Sequence, residues 1–213
     1  MRRHAKGGEP ASVFLLAMRI IAGTFRSRTL AAPPGMSTRP TSDRLRETLF
    51  NVVAPRIGGA AFIDLYAGSG AVGIEALSRG AARVTFVERA PAALKVLEAN
   101  LARLGINEGV RVEGKSVSAF LRSAAKPFQS PEKIQNQKKT DVLFLDPPYD
   151  AAQEYETALG LIGGPAQAIL APDAVVIVEH RRKVALDERY GGLKRTRLLE
   201  QGDAALSFYA LSA

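Results

Sequence analysis

The sequence predicts an α/β fold in which a mostly parallel sheet is covered by helices on both faces. From residue 60 onward, short runs typical of buried strands alternate with stretches typical of helices, and this alternation is characteristic of a parallel sheet. The chain has 213 residues, of which 46% are hydrophobic and 23% are charged. This length and balance indicate one globular domain, with or without an appendage, and exclude disordered, collagen-like and disulfide-rich classes.

The residues that precede this alternation are organised differently. Residues 1–17 are rich in glycine and basic side chains, and we expect a flexible extension or a mis-called start, with Met18 as the alternative first residue. Residues 18–32 predict a small hairpin with an arginine-bearing turn. A helix is expected over 44–53, with an end at Pro55.

The remaining elements follow in regular order from residue 60. We expect strands at 61–65, 83–88, 110–113, 141–145 and 174–179, helices at 71–79, 91–104, 117–125 and 155–162, and a closing antiparallel hairpin at 194–201 and 204–211. Residues 126–140 are rich in Pro, Gln and Lys and lack periodicity, so we expect a mobile surface insertion there.

The positive charge is concentrated near the N-terminus. The chain carries 29 Lys and Arg against 21 Asp and Glu, which gives a net charge of +8 and an isoelectric point of about 10.0. Residues 1–60 hold ten of the basic residues and three of the acidic ones, whereas residues 61–213 are nearly neutral. This distribution is typical of an arm that binds nucleic acid, and the alternative is a solvated surface that only keeps the protein soluble.

The sequence contains no cysteine and two histidines. These counts exclude disulfides, thiolate metal sites and a cysteine nucleophile, and they leave little from which to build a zinc site, so we expect no metal. A reducing, cytoplasmic location fits this composition. The apolar run 13–17 is too short to span a bilayer and Arg19 interrupts its continuation, so no membrane segment is expected.

The sharpest local pattern is the run DLYAGSG at residues 64–70, where a predicted strand ends and a helix begins. Glycines there let the backbone approach a ligand, and free N–H groups at the helix N-terminus can bind its polar end. Glu88 ends the next predicted strand, where a carboxylate can accept hydrogen bonds from both hydroxyls of a ribose. The pattern predicts a nucleoside-bearing cofactor, although the glycine spacing also fits a dinucleotide or a plain tight turn.

A second pattern, Asp146-Pro147-Pro148-Tyr149, directly follows the apolar run 142–145. Two consecutive prolines stiffen the backbone and remove N–H donors, so carbonyls and a carboxylate form a rigid set of acceptors beyond the strand end. Tyr149 adds a flat face on which a base can stack. Together they suit an exocyclic amine on a planar ring, with a Pro-Pro turn capped by tyrosine as the plain alternative.

These patterns, taken in order, resemble motifs I, II and IV of the S-adenosylmethionine-dependent amino-methyltransferases. The runs MRIIAG (18–23) and RPTSDRLRETLFN (39–51) are similar to the RsmD family, whose members methylate N2 of one guanine, of the guanine 966 type, in bacterial 16S rRNA. The resemblance covers 18–211 and implies a Rossmann-like class I methyltransferase fold with a seven-stranded sheet. It divides the chain into a basic hairpin and helix (18–59) and a cofactor domain (60–213).

The resemblance also implies roles for individual residues and a partner. The implied catalytic and target-binding residues are Asp146, Pro147, Pro148 and Tyr149. The implied S-adenosylmethionine-binding residues are Asp64, Tyr66, Gly68, Ser69, Gly70, Glu88, Arg89, Ser116 and Thr41, with Ser116 where the family has Asn or Asp for the adenine. The implied RNA-binding residues are Arg19, Arg26, Arg28, Arg39, Arg44 and Arg46. The implied partner is 16S rRNA within the assembling small subunit.

Three other functions each fit part of the sequence. An amino-methyltransferase that acts on DNA adenine or on a protein glutamine shares the motifs, but such enzymes commonly carry Asn at the position of Asp146. A nicotinamide-dependent oxidoreductase accounts for the glycines and leaves residues 146–149 unexplained. A catalytically silent rRNA-binding assembly factor would bind RNA without turnover.

Overall fold

The computed structural model describes residues 16–32, 40–125, 139–148 and 151–212, and it confirms the α/β class. The helices are α1 (Pro40–Ile57), α2 (Ala71–Ser78), α3 (Pro91–Leu104), α4 (Val117–Ala124) and α5 (Ala152–Ile162), with a short 3-10 helix at Gln167–Ile169. The strands are β1 (Leu16–Arg19), β2 (Thr29–Ala31), β3 (Ala61–Leu65), β4 (Arg83–Glu88), β5 (Val110–Gly114), β6 (Thr140–Leu145), β7 (Leu170–Arg181), β8 (Arg189–Tyr190), β9 (Leu193–Gln201) and β10 (Ala204–Leu211).

The main sheet has the strand order β5-β4-β3-β6-β7-β10-β9-β8. The first five of these strands run parallel, and β10, β9 and β8 each run antiparallel to the preceding neighbour. The chain builds outward from β3 to β5 and then returns to the other side of β3, so the strand order reverses between β3 and β6. In sheets of this kind, ligands bind in the crevice beyond the carboxyl ends of the two strands at the reversal.

Each face of the sheet has its own apolar core because successive side chains of a strand point in opposite directions. Phe62 and Phe144 pack with α1, α2 and α3 on one face. Their chain neighbours Ile63 and Leu143 pack with α4 and α5 on the other. Strands buried on both faces read as continuous apolar runs, and this explains why the sequence places them well.

The N-terminal arm, residues 16–32, is the hairpin of β1 and β2. Ile20 and Leu30 are almost fully buried and belong to the same core as α1, α2 and α3. The arm therefore packs on the face of the sheet that also carries α1, α2 and α3. The structure confirms the predicted hairpin, with β1 beginning at Leu16.

Several element bounds differ from the sequence-based expectations. Helix α1 begins at Pro40 and not at residue 44, since proline is favoured in the first turn of a helix, and α5 begins at Ala152 and not at residue 155. Helix α1 does not end at Pro55 but continues to Ile57, because a proline in the last turn removes a single N–H donor, and the exposed Asn51 carbonyl four residues earlier can bind water instead. Strand β7 starts at Leu170 and not at residue 174, since its pairing with β6 changes register and accommodates the exposed Pro172 and Asp173. The sheet has eight strands because the two-residue strand β8, too short to predict, adds an edge.

Most of the expected insertion at 126–140 lies outside the described residues, which resume at Lys139. Within the described ranges, no helix combines the length and the apolar character that a membrane crossing requires.

Candidate active site

The loop between β3 and α2, residues 66–70, forms the cofactor loop. It places several of the predicted cofactor residues at the carboxyl edge of the sheet. Asp64 is buried, and its carboxylate accepts a hydrogen bond from the backbone N–H of Gly73 at 2.9 Å. Burial raises the pKa of Asp64 to about 7; the charges of Asp146 and Glu88 act in the same direction, and the Gly73 hydrogen bond opposes them. The carboxyl groups of three strand ends therefore lie close enough to influence one another.

Three residues of this loop, Tyr66, Gly68 and Gly70, adopt left-handed backbone conformations. Gly70 has φ 81°, and a Cβ atom there would lie 2.3 Å from the Leu97 side chain, so glycine is required. Tyr66 has φ 63°, a strained conformation for a residue with a side chain. Its hydroxyl donates to the Glu154 carboxylate on α5 at 2.7 Å, and burial, followed by Glu154, raises the pKa of Tyr66. The loop therefore packs against α3 at Gly70 and is hydrogen-bonded to α5 through Tyr66.

Glu88 holds the same loop from the end of β4. Its carboxylate accepts hydrogen bonds from the N–H groups of Gly68 at 2.9 Å and of Arg89 and Ala90 at 2.7 Å each. Three backbone donors therefore fix the carboxylate orientation before any ligand binds. Arg89 contributes its backbone to this arrangement, and the residue itself is exposed.

Ser69 and Ser116 complete the predicted cofactor residues within the described ranges. Ser69 is buried, and its carbonyl accepts a hydrogen bond from Asn100 at 3.0 Å. Ser116 follows β5 and caps α4, where its hydroxyl accepts from the Ala119 N–H at 3.2 Å. For Thr41, the structure describes the backbone alone, which lies at the start of α1.

The chemistry of these donors and acceptors fits S-adenosylmethionine. Gly70 precedes α2 and has no side chain to cap it, and Asp64 binds the Gly73 N–H, so the N–H groups of Ala71 and Val72 can bind the polar end of a ligand. Of the about four lone-pair sites of a carboxylate, Glu88 uses three, and the remaining site on Oε2 can accept from a ribose hydroxyl. The neighbouring carboxyls of Asp64 and Asp146 favour a cationic ligand, and a sulfonium is one.

Asp146 directly follows β6, beside the cofactor loop. It keeps an exposed surface, but the protein packed around it withdraws water from the carboxyl and raises its pKa to about 7. Pro147 is buried, and the exposed Pro148 accepts the Ala151 N–H at 2.9 Å. Within the described ranges, no group donates a hydrogen bond to the Asp146 carboxylate or to the Pro147 carbonyl, so these acceptors are open to a ligand. Tyr149 lies outside the described residues.

Glu179 is an acidic neighbour of Asp146 that the sequence interpretation missed. Strands β6 and β7 pair Leu145 with Val178, so Asp146 and Glu179 occupy the next position along each strand. Burial and the charge of Asp146 raise the pKa of Glu179 well above its ordinary value, and Arg46 opposes them. Glu179 directly follows an apolar run, and Asp64 and Glu88 lie at or near the ends of similar runs. This shared position at a strand end could have identified Glu179 from the sequence.

The exposed members of the predicted RNA-binding set lie on the N-terminal arm and α1. Arg19, Arg26 and Arg44 line a cavity of about 380 Å³ together with Asp43 and Glu47, among others. Arg28 is exposed at the same turn of the arm. Arg39 lies outside the described residues.

The prediction that Arg46 faces RNA is wrong, because its side chain is 5% exposed and bonded inside the protein. The guanidinium donates to the Arg19 carbonyl at 2.6 Å and to Asp43 at 3.0 Å, and its Nε lies 3.9 Å from Glu75. Phe50, Val53 and Ile57 follow it at helical spacing and are all buried. This spacing places Arg46 on a core-facing stripe of α1. Counting the basic residues of the segment did not take this helical position into account.

Two further buried side chains escaped the sequence interpretation, Glu75 on α2 and Asn100 on α3. Both bind the backbone of the N-terminal arm. Each occupies a position on the core-facing side of its helix, where a polar residue must have a partner. Within the described ranges, no group of three or more potential metal ligands lies together.

Comparison with known proteins gives the family. A family model described as "Conserved hypothetical protein 95", the RsmD family, matches residues 18–210. A Bacillus subtilis protein named as an rRNA methyltransferase, YlbH, is 36% identical over 194 residues, which cover 90% of this chain and 98% of that protein. The ribosomal RNA small subunit methyltransferase D of Escherichia coli K12 is 38% identical over 162 residues, covering 76% of this chain and 74% of the relative.

The fold agrees with this assignment. A solved Escherichia coli structure named as the methyltransferase yhhF superposes with a TM-score of 0.74 at 33% identity, and the match covers 92% of this chain and 98% of that one. The chain therefore belongs to the RsmD family of methyltransferases, and S-adenosylmethionine is its methyl donor.

Proposed function

We propose that this protein methylates the exocyclic N2 amine of one guanine, of the guanine 966 type, in bacterial 16S rRNA. The observation that carries the proposal is the pair of open acceptors at Asp146 and Pro147, placed beside the cofactor loop. The relatives named as rRNA methyltransferases support an rRNA substrate. The exposed arginines of the N-terminal arm offer a surface for its phosphates.

The chemical difficulty lies in the amine, whose lone pair is delocalised into the guanine ring. The Asp146 carboxylate accepts one N–H of the amine and the Pro147 carbonyl accepts the other. Held in this way, the nitrogen lone pair turns out of the ring plane and toward the methyl group. Positioning and exclusion of water supply most of the acceleration, since the Pro147–Pro148 backbone is stiff before the base arrives.

When bound, S-adenosylmethionine supplies a methyl group that its sulfonium already activates. The amine loses one proton for each methyl group that it gains. Asp146 is the nearest base that can receive this proton, and its raised pKa of about 7 suits the task at neutral pH. The target base leaves its stack to reach Asp146, and we assign Tyr149 the role of stacking on it.

Two alternatives within the same chemistry are DNA adenine and protein glutamine as acceptors. The acid at position 146 favours guanine, since enzymes of those two classes commonly carry Asn there. The basic surface formed by Arg19, Arg26 and Arg44 favours a polyanion over a protein. An rRNA substrate also locates the reaction in the bacterial cytoplasm, within the assembling small subunit.

The deciding experiment is transfer of a tritiated methyl group from S-adenosylmethionine. Small-subunit particles and naked 16S rRNA, both lacking the modification, serve as acceptors, with duplex DNA and a glutamine peptide as controls. We expect label in N2-methylguanosine after digestion of the RNA, and more from particles than from naked rRNA. Label in methyladenine or methylglutamine, or in no acceptor, would contradict the proposal.

A further inference from the structure

The N-terminal arm is attached to the cofactor domain at one end of α2. Ser78 accepts from the Phe25 N–H through its hydroxyl at 2.9 Å, and it donates to the Ala22 carbonyl at 2.5 Å. Gly23, at φ 84°, lies so close that a Cβ atom there would be 1.8 Å from the Ser78 carbonyl oxygen. This contact is direct backbone packing, and it involves no part of the cofactor loop.

A buried carboxylate in the middle of α2 adds a second attachment. Glu75 is 0% exposed and accepts from the N–H groups of Ile21 and Ala22 at 2.8 and 3.0 Å. Arg79, one helical turn later, donates to it at 2.7 Å. The charge is compensated, so Glu75 holds the turn of the arm rigidly.

The third attachment differs because it includes the cofactor loop. Asn100 on α3 is 1% exposed, and its amide oxygen accepts from the Ala31 N–H of β2 at 2.8 Å. Its amide nitrogen donates both to the Ala31 carbonyl and to the Ser69 carbonyl in the cofactor loop, each at 3.0 Å. The buried side chain of Asn100 therefore bridges the cofactor loop and strand β2 of the N-terminal arm.

This bridge links the stability of the two segments. A buried amide whose partners move away loses hydrogen bonds that water cannot replace, so the loop and β2 are most stable when both are in place. A ligand that binds only the ordered loop stabilises every contact made in that state, including the two hydrogen bonds to Ala31. The rotation of Asn100 is restricted by all three bonds at once.

We propose that Asn100 is a positioning residue that couples cofactor binding to the N-terminal arm, so that a bound cofactor orders the surface that receives the RNA. The RNA half of this inference rests on the proposed function, whereas the coupling between loop and arm does not. Asn100 acts through Ser69 and Ala31.

The first test needs no RNA. Amide hydrogen exchange of Ala31 is followed by NMR in the full chain, with and without saturating S-adenosylhomocysteine. We expect the ligand to slow exchange at Ala31 by about 5-fold or more in the wild type. Unchanged exchange at Ala31 in the ligand-bound wild type would overturn the coupling, whatever the methylation assay shows.

The second test uses two matched variants. Asn100→Asp keeps the acceptor for Ala31 but loses both donors, and Ser78→Ala removes arm contacts that do not involve the cofactor loop. We expect the ligand effect on Ala31 to disappear in Asn100→Asp and to persist in Ser78→Ala. Retention of the effect in Asn100→Asp, or its loss in both variants, would contradict a specific role of Asn100.

The third test measures binding of the 16S rRNA substrate. We expect S-adenosylhomocysteine to tighten RNA binding by about 5-fold in the wild type and in Ser78→Ala, and to leave it unchanged in Asn100→Asp. If the protein proves not to act on rRNA, the proposed function fails while the exchange result at Ala31 stands. An equal ligand effect on RNA binding in all three proteins would overturn the inference.

Discussion

The carboxylates of Asp64 and Glu88, which flank the cofactor loop, and the carboxylate of Asp146 after β6 lie at the same edge of the sheet but are held in different ways. Asp64 and Glu88 accept hydrogen bonds from four backbone N–H groups in total. Asp146 receives none from the described part of the chain, and its charge raises the pKa of Glu179 beside it. On the cofactor side the carboxylates are bound to backbone donors, whereas on the proposed target side the acceptors have no donor among the described residues.

The largest effect is expected from Asp146→Ala, which removes the open acceptor alone. The turnover rate with rRNA should fall by about 10³-fold or more, because the amine loses the group that orients it. Affinity for S-adenosylhomocysteine, measured by calorimetry, should change by less than about 3-fold. Asp203→Ala, in the exposed turn before β10, is the control; comparable activity in both variants would remove Asp146 from the site.

Glu88→Ala tests the opposite side of the comparison. Three backbone N–H groups lose their acceptor, so the loop loses its shape and the ribose its partner. Calorimetry should show affinity for S-adenosylhomocysteine reduced by about 100-fold, with a smaller change in turnover at saturating cofactor. Glu98→Ala, exposed on α3, is the matched control. Unaltered affinity in Glu88→Ala would mean that the ribose lies elsewhere.

The pH dependence tests both carboxyl groups without a mutation, Asp146 through the turnover rate and Asp64 through the affinity for the cofactor. Since burial raises the pKa of Asp146 to about 7, the ionised fraction falls below that pH, and turnover at saturating cofactor should drop by about tenfold per pH unit. Cofactor affinity should weaken over the same range as Asp64 takes up a proton, because its pKa is also about 7. A flat turnover rate from about pH 5.5 to about pH 8 would contradict an ionised Asp146 in the reaction.

The smallest effect on activity is expected from substitution of two arginines of α1. Arg44 is exposed and Arg46 is buried, so their variants should differ in kind. Arg44→Ala should weaken RNA binding by a few-fold and lower the slope of log affinity against log salt by about one, with an unchanged melting temperature. Binding titrations at several salt concentrations measure both quantities. An unchanged slope would exclude Arg44 from the phosphate contacts.

Arg46→Ala is the counterpart of that variant. Its loss removes a partner of the fully buried Glu75, so thermal unfolding should occur at least about 5 °C lower than in the wild type. A wild-type melting temperature in this variant would mean that the buried contacts of Arg46 contribute little.

Periodicity predicts this fold well and predicts buried polar contacts poorly. The strands at 61–65 and 141–145 carry buried apolar residues on both faces, so their runs are visible in the sequence itself. Glu75, Asn100 and Glu179 become meaningful only through partners that lie far away along the chain. Their distances depend on helix and strand placement, which a one-dimensional pattern does not contain.

Arg46 shows a different reason for failure. A net charge describes how many cations a segment holds, but the rotation of α1 decides which of them meet water. Leu45 and Leu49 identify one buried stripe, and Phe50 marks an adjacent one that includes Arg46. The site residues that follow strand ends were easier to predict, because parallel strands bring their carboxyl ends to one edge.

The shared core of the N-terminal arm has a consequence for how this architecture can be inherited. Ile20 and Leu30 are embedded among residues of the cofactor domain, so the arm is no detachable module that evolution could exchange freely. A chimera that joins the arm of one relative to the cofactor domain of another must match at Ser78 and Asn100, or it loses buried hydrogen bonds. The N-terminal arm and the cofactor domain are therefore constrained to diverge together.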